Sequence, residues 1–513
     1  MHKRYLLILS SLLLAKAFIL AFAILHAGIG LGPDEAQYWT WSQDLDWGYY
    51  SKPPGIAWEI ALGTLLFGNT EFGVRFMPLV IGLLLPFAVY FAAKQCNLKP
   101  AACFWAAVCM AFCPIGILSS FLAITDGGMV LFWTIACAYL AGKIETREVP
   151  NYLLVGIFVF FGALFKWPIY SFWVALLACW PFFPHLRSWR ILIGITVSLA
   201  ALLPSVYWNA THEWATFRHV MATLAGGHAK PKEGAVLSGN VLEFLGAQAV
   251  LVSPILFVLL VMAWKQLFSR KYQMPSGVQF CGWVSFVSVA LGTLMAIFMK
   301  MQGNWAIYAY PPAFVLLGWY AVEGSSQKIK WITGGLVLSV VVCAAVFTIP
   351  YVQSRGIAES FKIPYKINPF RHNVGWKELA PALKEAGYDE EQDFLFGDKY
   401  QTASILSFYG SEQKRAYFFN IQGSRNNQFS FWQGMDQKEK GKRGFFAVIE
   451  NEPQLNNPEL LEQHMKALSP YFEKVRFIGI KPLFKAYGRV VKGVMLFEGE
   501  GYTGDVPAET DLY

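Results

Sequence analysis

Between residues 30 and 60 of this 513-residue chain, groups able to take protons and hold charge crowd together. The stretch runs Gly32-Pro33-Asp34-Glu35-Ala36-Gln37-Tyr38-Trp39, then Trp47-Gly48-Tyr49-Tyr50-Ser51-Lys52-Pro53-Pro54-Gly55. Pro33 ahead of an acidic pair marks a helix start, where negative charge suits the N-terminal dipole. Asp34 and Glu35 then read either as helix-start acids on a wet loop or as catalytic carboxylates. Lys52 reads as an interfacial anchor or as a cation for an anionic ligand, with Pro53-Pro54 a rigid exit from the loop. Density favours chemistry. Carboxylates, a lysine and several Trp and Tyr residues, Tyr49 and Tyr50 among them, describe a pocket for an amphiphile better than a spacer.

Other polar groups recur at the edges of apolar runs. Asp126, in Ala123-Ile124-Thr125-Asp126-Gly127-Gly128, is either part of a helix cap or a second acid. Arg75 opens one apolar run, and Lys166 separates two others. A longer polar segment begins Trp208-Asn209-Ala210-Thr211-His212-Glu213-Trp214 and continues through Arg218, His219, His228, Lys230 and Lys232. His212 and Glu213 beside two tryptophans suit a sugar; as metal ligands they lack a second ligand at helical spacing. Lys300-Met301-Gln302-Gly303-Asn304-Trp305 forms a tight hairpin with one cation.

The elements that must position these groups are membrane helices. The chain is 55% hydrophobic and 15% charged, with 84 aromatic residues, against roughly 25% charge in a soluble globule. That composition excludes an ordinary cytosolic enzyme, a disordered chain and a disulfide-stapled secreted scaffold. Crossing ~30 Å of hydrocarbon takes about 20 apolar residues, fewer with snorkelling flanks. Eleven runs qualify, near 5–28, 73–93, 100–119, 127–142, 151–165, 168–183, 190–208, 242–264, 278–299, 305–322 and 330–350. A twelfth stretch, 55–67, is too short to span and is expected to lie at the interface or re-enter. The expected fold is a polytopic α-helical membrane protein of about 11–13 helices, residues 1–350, followed by a small soluble α/β domain, 351–513.

Charge sets the expected orientation. Residues 1–350 hold 21 Lys and Arg against 13 Asp and Glu, whereas 351–513 hold 21 of each. The excess therefore reads as topology charge, not as a nucleic-acid patch. With Lys3 and Arg4 inside, the inside loops carry Lys94 and Lys99, Lys143 and Arg147, Arg187 and Arg190, Lys265, Arg270 and Lys271, and Lys328 and Lys330. The first outside loop, 29–72, is acidic. Eleven spans then put residues 351–513 outside, in the periplasm of a bacterial inner membrane protein. Ala21-Phe22-Ala23 resembles a signal-peptide cleavage site, but the apolar stretch is long and holds Lys16, which favours an uncleaved first helix. All eight cysteines lie in or beside apolar runs without a CxxC pair, so neither a disulfide framework nor a zinc site is indicated. In the tail, Phe394–Phe396, Phe445–Ile449 and Tyr471–Ile478 read as strands, and Trp376–Ala386, Tyr400–Phe408 and Pro458–Leu468 as helices.

On this topology the acids, cations and aromatic rings share the outer face. Such a pocket suits a phosphate-headed lipid carrying a sugar. Rings stack on the sugar, cations hold the phosphate, and one carboxylate takes a proton from the acceptor hydroxyl. The lipid phosphate leaves readily once neutralised, so a single displacement with inversion is expected, without the two carboxylates of glycoside hydrolysis.

The set of motifs resembles the GT-C membrane glycosyltransferases, and within them the bacterial branch of the protein O-mannosyltransferase superfamily, which includes lipid A aminoarabinose transferases. The residues that carry the resemblance are Asp34-Glu35-Ala36-Gln37-Tyr38-Trp39 with Gly48-Tyr49-Tyr50-Ser51-Lys52-Pro53-Pro54, Val74-Arg75-Phe76, Thr125-Asp126, Trp208-Asn209 with His212-Glu213-Trp214, Asn304-Trp305 with Ala309-Tyr310-Pro311, and Tyr400-Gln401-Thr402-Ala403-Ser404. The resemblance implies transfer of a sugar from a polyprenyl-phosphate donor to a hydroxyl or phosphate acceptor: lipid A or lipopolysaccharide, another envelope glycan, or protein Ser/Thr. It implies Asp34, Glu35 and Asp126 as the catalytic acids, and Lys52 at the donor phosphate. Arg75, Lys166 and Lys300 join Lys52 as candidate phosphate cations, and Tyr49, Tyr50, His212, Glu213 and Trp305 as candidate substrate contacts. One departure stands out: a glutamate associated with metal binding in the aminoarabinose enzymes is Ser51 here. A divalent metal is therefore left open, and aminoarabinose is not supported as the sugar.

Two rivals remain. A flippase for lipid-linked sugars would use similar surroundings, but it needs alternating access, usually through repeated halves, and no internal repeat is present. A membrane anchor or assembly subunit would leave the loaded first loop unexplained.

Overall fold

The computed structural model describes the chain apart from residues 225–238, 270–272, 324–325, 356, 358–363, 509 and 513. The expected positions His228, Lys230, Lys232, Arg270 and Lys271 lie outside the described residues. Six helices are long and apolar enough to cross a membrane: His2–His26, Glu71–Gln95, Asp126–Glu145, Ile191–Thr211, Ser276–Phe298 and Lys328–Ser354. Shorter apolar helices, including Pro100–Phe112, Tyr152–Ala163 and Trp167–Cys179, pack among them. Each of the eleven expected runs falls on such helical structure.

Two runs are broken. Within 242–264 the chain turns by 104° between Val241–Val252 and Pro254–Ser269. The bend sits at Ser253, whose positive φ of 92° ends the first helix, and Pro254 starts the second. Within 100–119, Cys113 adopts an extended conformation and Pro114 opens a short second helix. The carbonyls exposed there are met by Lys16, whose Nζ donates to Ala111 O and Gly116 O at 3.0 Å and to Ser120 Oγ at 2.9 Å. A charge in the middle of an apolar first helix thus has a structural partner set.

Four helices organise the loop that carries the chemistry. They are α1 (His2–His26), α2 (Pro33–Ser42), α3 (Gly55–Phe67) and α4 (Glu71–Gln95). Pro33 opens α2 as the residue types require, with Gly32 as N-cap. The apolar stretch 55–67 forms α3, a short helix that packs beside α4 and does not span. Its first residue must be glycine: Gly55 N donates to Leu164 O at 2.7 Å, and a Cβ there would sit 2.6 Å from that oxygen.

The tail folds as a five-stranded mixed sheet covered on both faces. Its strands are β1 (Phe394–Gly397), β2 (Tyr417–Phe418), β3 (Gly444–Asn451), β4 (Phe472–Ala486) and β5 (Arg489–Tyr502), ordered β2-β1-β3-β5-β4. The strand β5 was not anticipated, although it lies between β3 and β4. Tyr487 and Gly488, at φ 52° and 74°, close a two-residue hairpin whose twist requires positive φ at both positions. Along the sheet, residues alternate. Leu395, Phe445, Ala447, Val494 and Leu496 face the helices Leu379–Glu385 and Tyr400–Tyr409, whereas Phe394, Phe396, Phe446 and Phe497 face Pro458–Leu468.

The tail does not stand apart from the membrane region. Trp39, Trp41, Ile56 and Ala57 of the first loop share one core with Leu379, Leu406 and Phe408. Trp39 meets Phe408 edge-on at 4.8 Å, and Trp376 Nε1 donates to Leu31 O at 3.0 Å. The helix Tyr400–Tyr409 is thereby laid along α2.

Candidate active site

The first turn of α2 presents two carboxylates to different surroundings. Glu35 is buried and accepts four hydrogen bonds: Gly32 N at 2.8 Å and Arg75 Nη2 at 2.7 Å on Oε2, Arg75 Nε and Ala123 N at 2.9 Å on Oε1. Arg75, fully buried, also donates to Ile29 O and Gly30 O. The two form a clamp joining α2, α4 and the chain before Asp126, with their polar atoms committed to each other and to backbone. Asp34, one residue earlier, is exposed to solvent but surrounded by protein. Burial pushes its carboxyl above the ordinary range and Glu35 adds to the rise, while Lys52, Arg425 and a hydrogen bond from the Tyr400 hydroxyl pull it back. Burial, then Asp34, holds the Tyr400 phenol up at about 12, so it remains a donor.

Lys52 is held by the rigid turn before Pro53-Pro54. Burial, and then the charge of Lys166, bring it down to about 8, against the opposing pull of Asp34 and Asp126. Lys166 Nζ lies 2.7 Å from Asp126 Oδ1, and Asn304 Nδ2 donates to Asp126 Oδ2 at 3.3 Å. The phenol of Tyr38, one turn after Asp34 on α2, is pushed up by burial and then by the charges of Asp34, Tyr400 and Asp126. Asp126 and Lys166 are thus an ion pair, and Lys52 lies within electrostatic reach of that pair and of Asp34.

Other expected residues serve the walls. Tyr49 is fully buried, stacks on Trp41 at 4.7 Å and donates to Trp41 O. Tyr50 N donates to Gln428 Oε1 at 2.7 Å, and the Tyr50 ring stands 5.0 Å from that of His219. His212 stacks on Trp208 at 4.1 Å with Nδ1 at 2.8 Å from Trp208 O, while Glu213 is exposed in the turn that follows, at φ 57°. Lys300 is exposed, and Trp305 packs against the cluster of Phe244, Ala296 and Met301. Among the described residues no three His, Cys, Asp or Glu side chains converge as a metal would need.

Arg425 escaped the sequence reading. It comes from the loop between β2 and β3. Its Nη1 lies 3.2 Å from His219 Nδ1, and its guanidinium is 5.9 Å from the ring centres of both Tyr50 and Tyr400. The signal was a polar, irregular tract, Gly423-Ser424-Arg425-Asn426-Asn427, of the kind on which functional loops are built.

This arrangement, membrane-length helices with an acidic first-loop helix beneath a small α/β domain, has counterparts among solved structures. ArnT of Cupriavidus metallidurans, solved both apo and bound to undecaprenyl phosphate, matches the fold with TM-scores of 0.63 and 0.62, covering 95% of this chain and 97% of that one at 14% identity. Residues 51–208 match the family described as dolichyl-phosphate-mannose-protein mannosyltransferase. Over 291 residues the chain is 31% identical to the lipid A galacturonosyltransferase RgtD of Rhizobium johnstonii, covering 56% of this chain and 59% of RgtD. Over 189 residues it is 28% identical to the undecaprenyl phosphate-alpha-4-amino-4-deoxy-L-arabinose arabinosyl transferase of Pseudomonas savastanoi, covering 32% and 34%. The matches span less than two thirds of these curated relatives. The resemblance read from the motifs is thus met in both sequence and fold.

Proposed function

We propose that the protein transfers a sugar from a polyprenyl-phosphate donor to a lipid A or lipopolysaccharide acceptor at the outer leaflet of the bacterial inner membrane. On this reading the N-terminus is cytoplasmic and the C-terminal domain periplasmic. One observation carries it: Asp34 is exposed in the first turn of α2, its charge felt by Lys52 and Arg425 and its carboxylate hydrogen-bonded by the Tyr400 hydroxyl. The names of the relatives support the substrate classes, one giving lipid A as acceptor and the other an undecaprenyl-phosphate sugar as donor.

The acceptor hydroxyl oxygen attacks the sugar C1 while the bond from C1 to the phosphate oxygen breaks. The electron pair leaves with polyprenyl phosphate, and the hydroxyl proton goes to Asp34. A base with a raised pKa accepts that proton better than an ordinary aspartate does. Lys52 balances the phosphate as charge develops on it. Asp126 orients Lys166 beside Lys52, which keeps the second lysine at the phosphate side. The outcome is inversion at C1.

The test is mass spectrometry of envelope glycolipids from cells lacking the gene, complemented by wild type or by Asp34→Asn. Loss of one sugar mass, restored by wild type alone, is expected. Unchanged acceptors with lipid-linked sugar accumulating on the inner side would establish transport instead.

A further inference from the structure

Glu35 and Asp34 differ in how firmly they are held. Four hydrogen bonds fix the Glu35 carboxylate. Among the described residues one side chain hydrogen-bonds the Asp34 carboxylate, and it is Tyr400, from the C-terminal domain. A carboxylate on rotatable bonds serves as a base only when an oxygen is aimed at the proton it takes. A single donor does that without filling the site: it fixes one oxygen and leaves the other to the acceptor hydroxyl.

Tyr400 is delivered from a fixed point. It is the first residue of the helix Tyr400–Tyr409, entered from β1 through Asp398 and Lys399. Asp398 is buried, with His464 Nε2 3.5 Å from its Oδ2, and Lys399 Nζ lies 3.1 Å from Glu450 Oε1 on β3. Asp398 also accepts from Gln422, three residues before Arg425, so one anchor sets both Tyr400 and the guanidinium beside its ring. The far end of the helix is tied to the loop that carries Asp34. There the Tyr409 hydroxyl accepts from Leu31 N at 2.6 Å and donates to Glu71 Oε1 at 2.7 Å. A helix gripped at both ends has little freedom to carry its phenol away from α2.

The charged and titratable groups around Asp34 come from every side: Glu35 on α2 itself, Lys52 from the turn before α3, and Arg425 and Tyr400 from the C-terminal domain. Around Tyr400 they are Asp34 and Arg425. Lys52 and Arg425 act on Asp34 through charge, which reaches in all directions, whereas Tyr400 acts through a directed bond. Burial and the charge of Asp34 keep the phenol proton in place, so Tyr400 donates without giving it up. The acceptor proton still ends on Asp34, and the leaving electron pair on the phosphate.

We infer that Tyr400 is the positioning residue of the base, so that the C-terminal domain completes the catalytic centre by aiming the Asp34 carboxylate at the acceptor hydroxyl; this rests on the glycosyltransferase reading above.

The test uses full-length protein in nanodiscs and the variant Tyr400→Phe, which keeps the ring and removes the donor. Exposed Asp34 is labelled with a water-soluble carbodiimide, which reacts with the protonated carboxyl, and the labelled peptide is quantified by mass spectrometry across pH. Sugar transfer is followed in parallel, with a lipid extract of cells lacking the gene supplying unspent donor and unmodified acceptor. A donated hydrogen bond favours the carboxylate, so its loss should raise the labelling midpoint and the acid limb of the rate together, by about one pH unit. Above that limb the rate should fall by about 10-fold, because the base is no longer aimed. Tyr409→Phe controls for docking: it should lower Tm and leave the midpoint in place. An unmoved midpoint in Tyr400→Phe would overturn the inference. So would an equal shift in Tyr409→Phe, which would trace the effect to domain placement, or a full rate above the limb. Wild type transferring no sugar from the extract would bring down the glycosyltransferase reading and the inference with it, whereas transfer with an unmoved midpoint sinks the inference alone.

Discussion

Asp34 and Glu35 are neighbours in one helical turn, yet Glu35 accepts four hydrogen bonds in a buried clamp while Asp34 faces solvent with Tyr400 and Lys52 around it. The division follows from helix geometry. Successive residues point about 100° apart, so only one of the pair can face Arg75. The two should respond oppositely to substitution.

For Asp34→Asn, transfer should fall by about 10²-fold to 10⁴-fold, the usual weight of a general base. Thermal unfolding in detergent should match wild type, because Asp34 anchors no buried network. Near-normal turnover by this variant would sink the base assignment.

For Glu35→Ala, stability should drop by about 3–5 kcal/mol, since Arg75 would be left buried and uncompensated. The readout is a lowered Tm and poor recovery of folded protein. A variant as stable as wild type would show that the clamp is dispensable.

Lys52 sets an alkaline limit. Brought down to about 8, it is charged below that pH and loses its charge above it. The kcat/KM for lipid donor should therefore fall as pH rises through about 8, whereas the acid limb lies where Asp34 protonates, above the ordinary carboxylate range. Lys52→Arg, charged throughout, should abolish the alkaline limb, and Lys52→Ala should raise KM for donor. An unmoved limb in the arginine variant would remove Lys52 from the phosphate site.

His464 gives the C-terminal domain its own pH dependence. Burial disfavours its charged form, but hydrogen bonds to Asp398 and Leu460 O outweigh that and raise it. A raised folded-state pKa stabilises below the unfolded value and is lost as pH rises through the folded one. The Tm difference between wild type and His464→Gln should thus be largest in mild acid and shrink toward alkaline pH. A difference independent of pH would mean that His464 stays neutral.

Much of this protein was readable from local pattern. Eleven apolar runs became helices, Pro33 opened α2, and the Phe394, Phe445 and Phe472 segments became strands, because hydrophobic period and proline placement act over a few residues. Asp34, Lys52, Asp126 and Lys166 also stood out in the sequence, since ionisable groups at the rim of apolar runs are few. What local pattern could not carry was partnership. Glu35 meets Arg75 across 40 positions, Tyr409 meets Glu71 across 338, and Arg425 reaches Tyr50 only because the sheet domain docks on α2. Pairings at such separations are decided by how the layers pack, which leaves no periodic trace in the chain. The residue types therefore determined what chemistry was on offer at this face. The tertiary structure alone decided which acid is bound into the framework, which stays open, and which distant cation joins it.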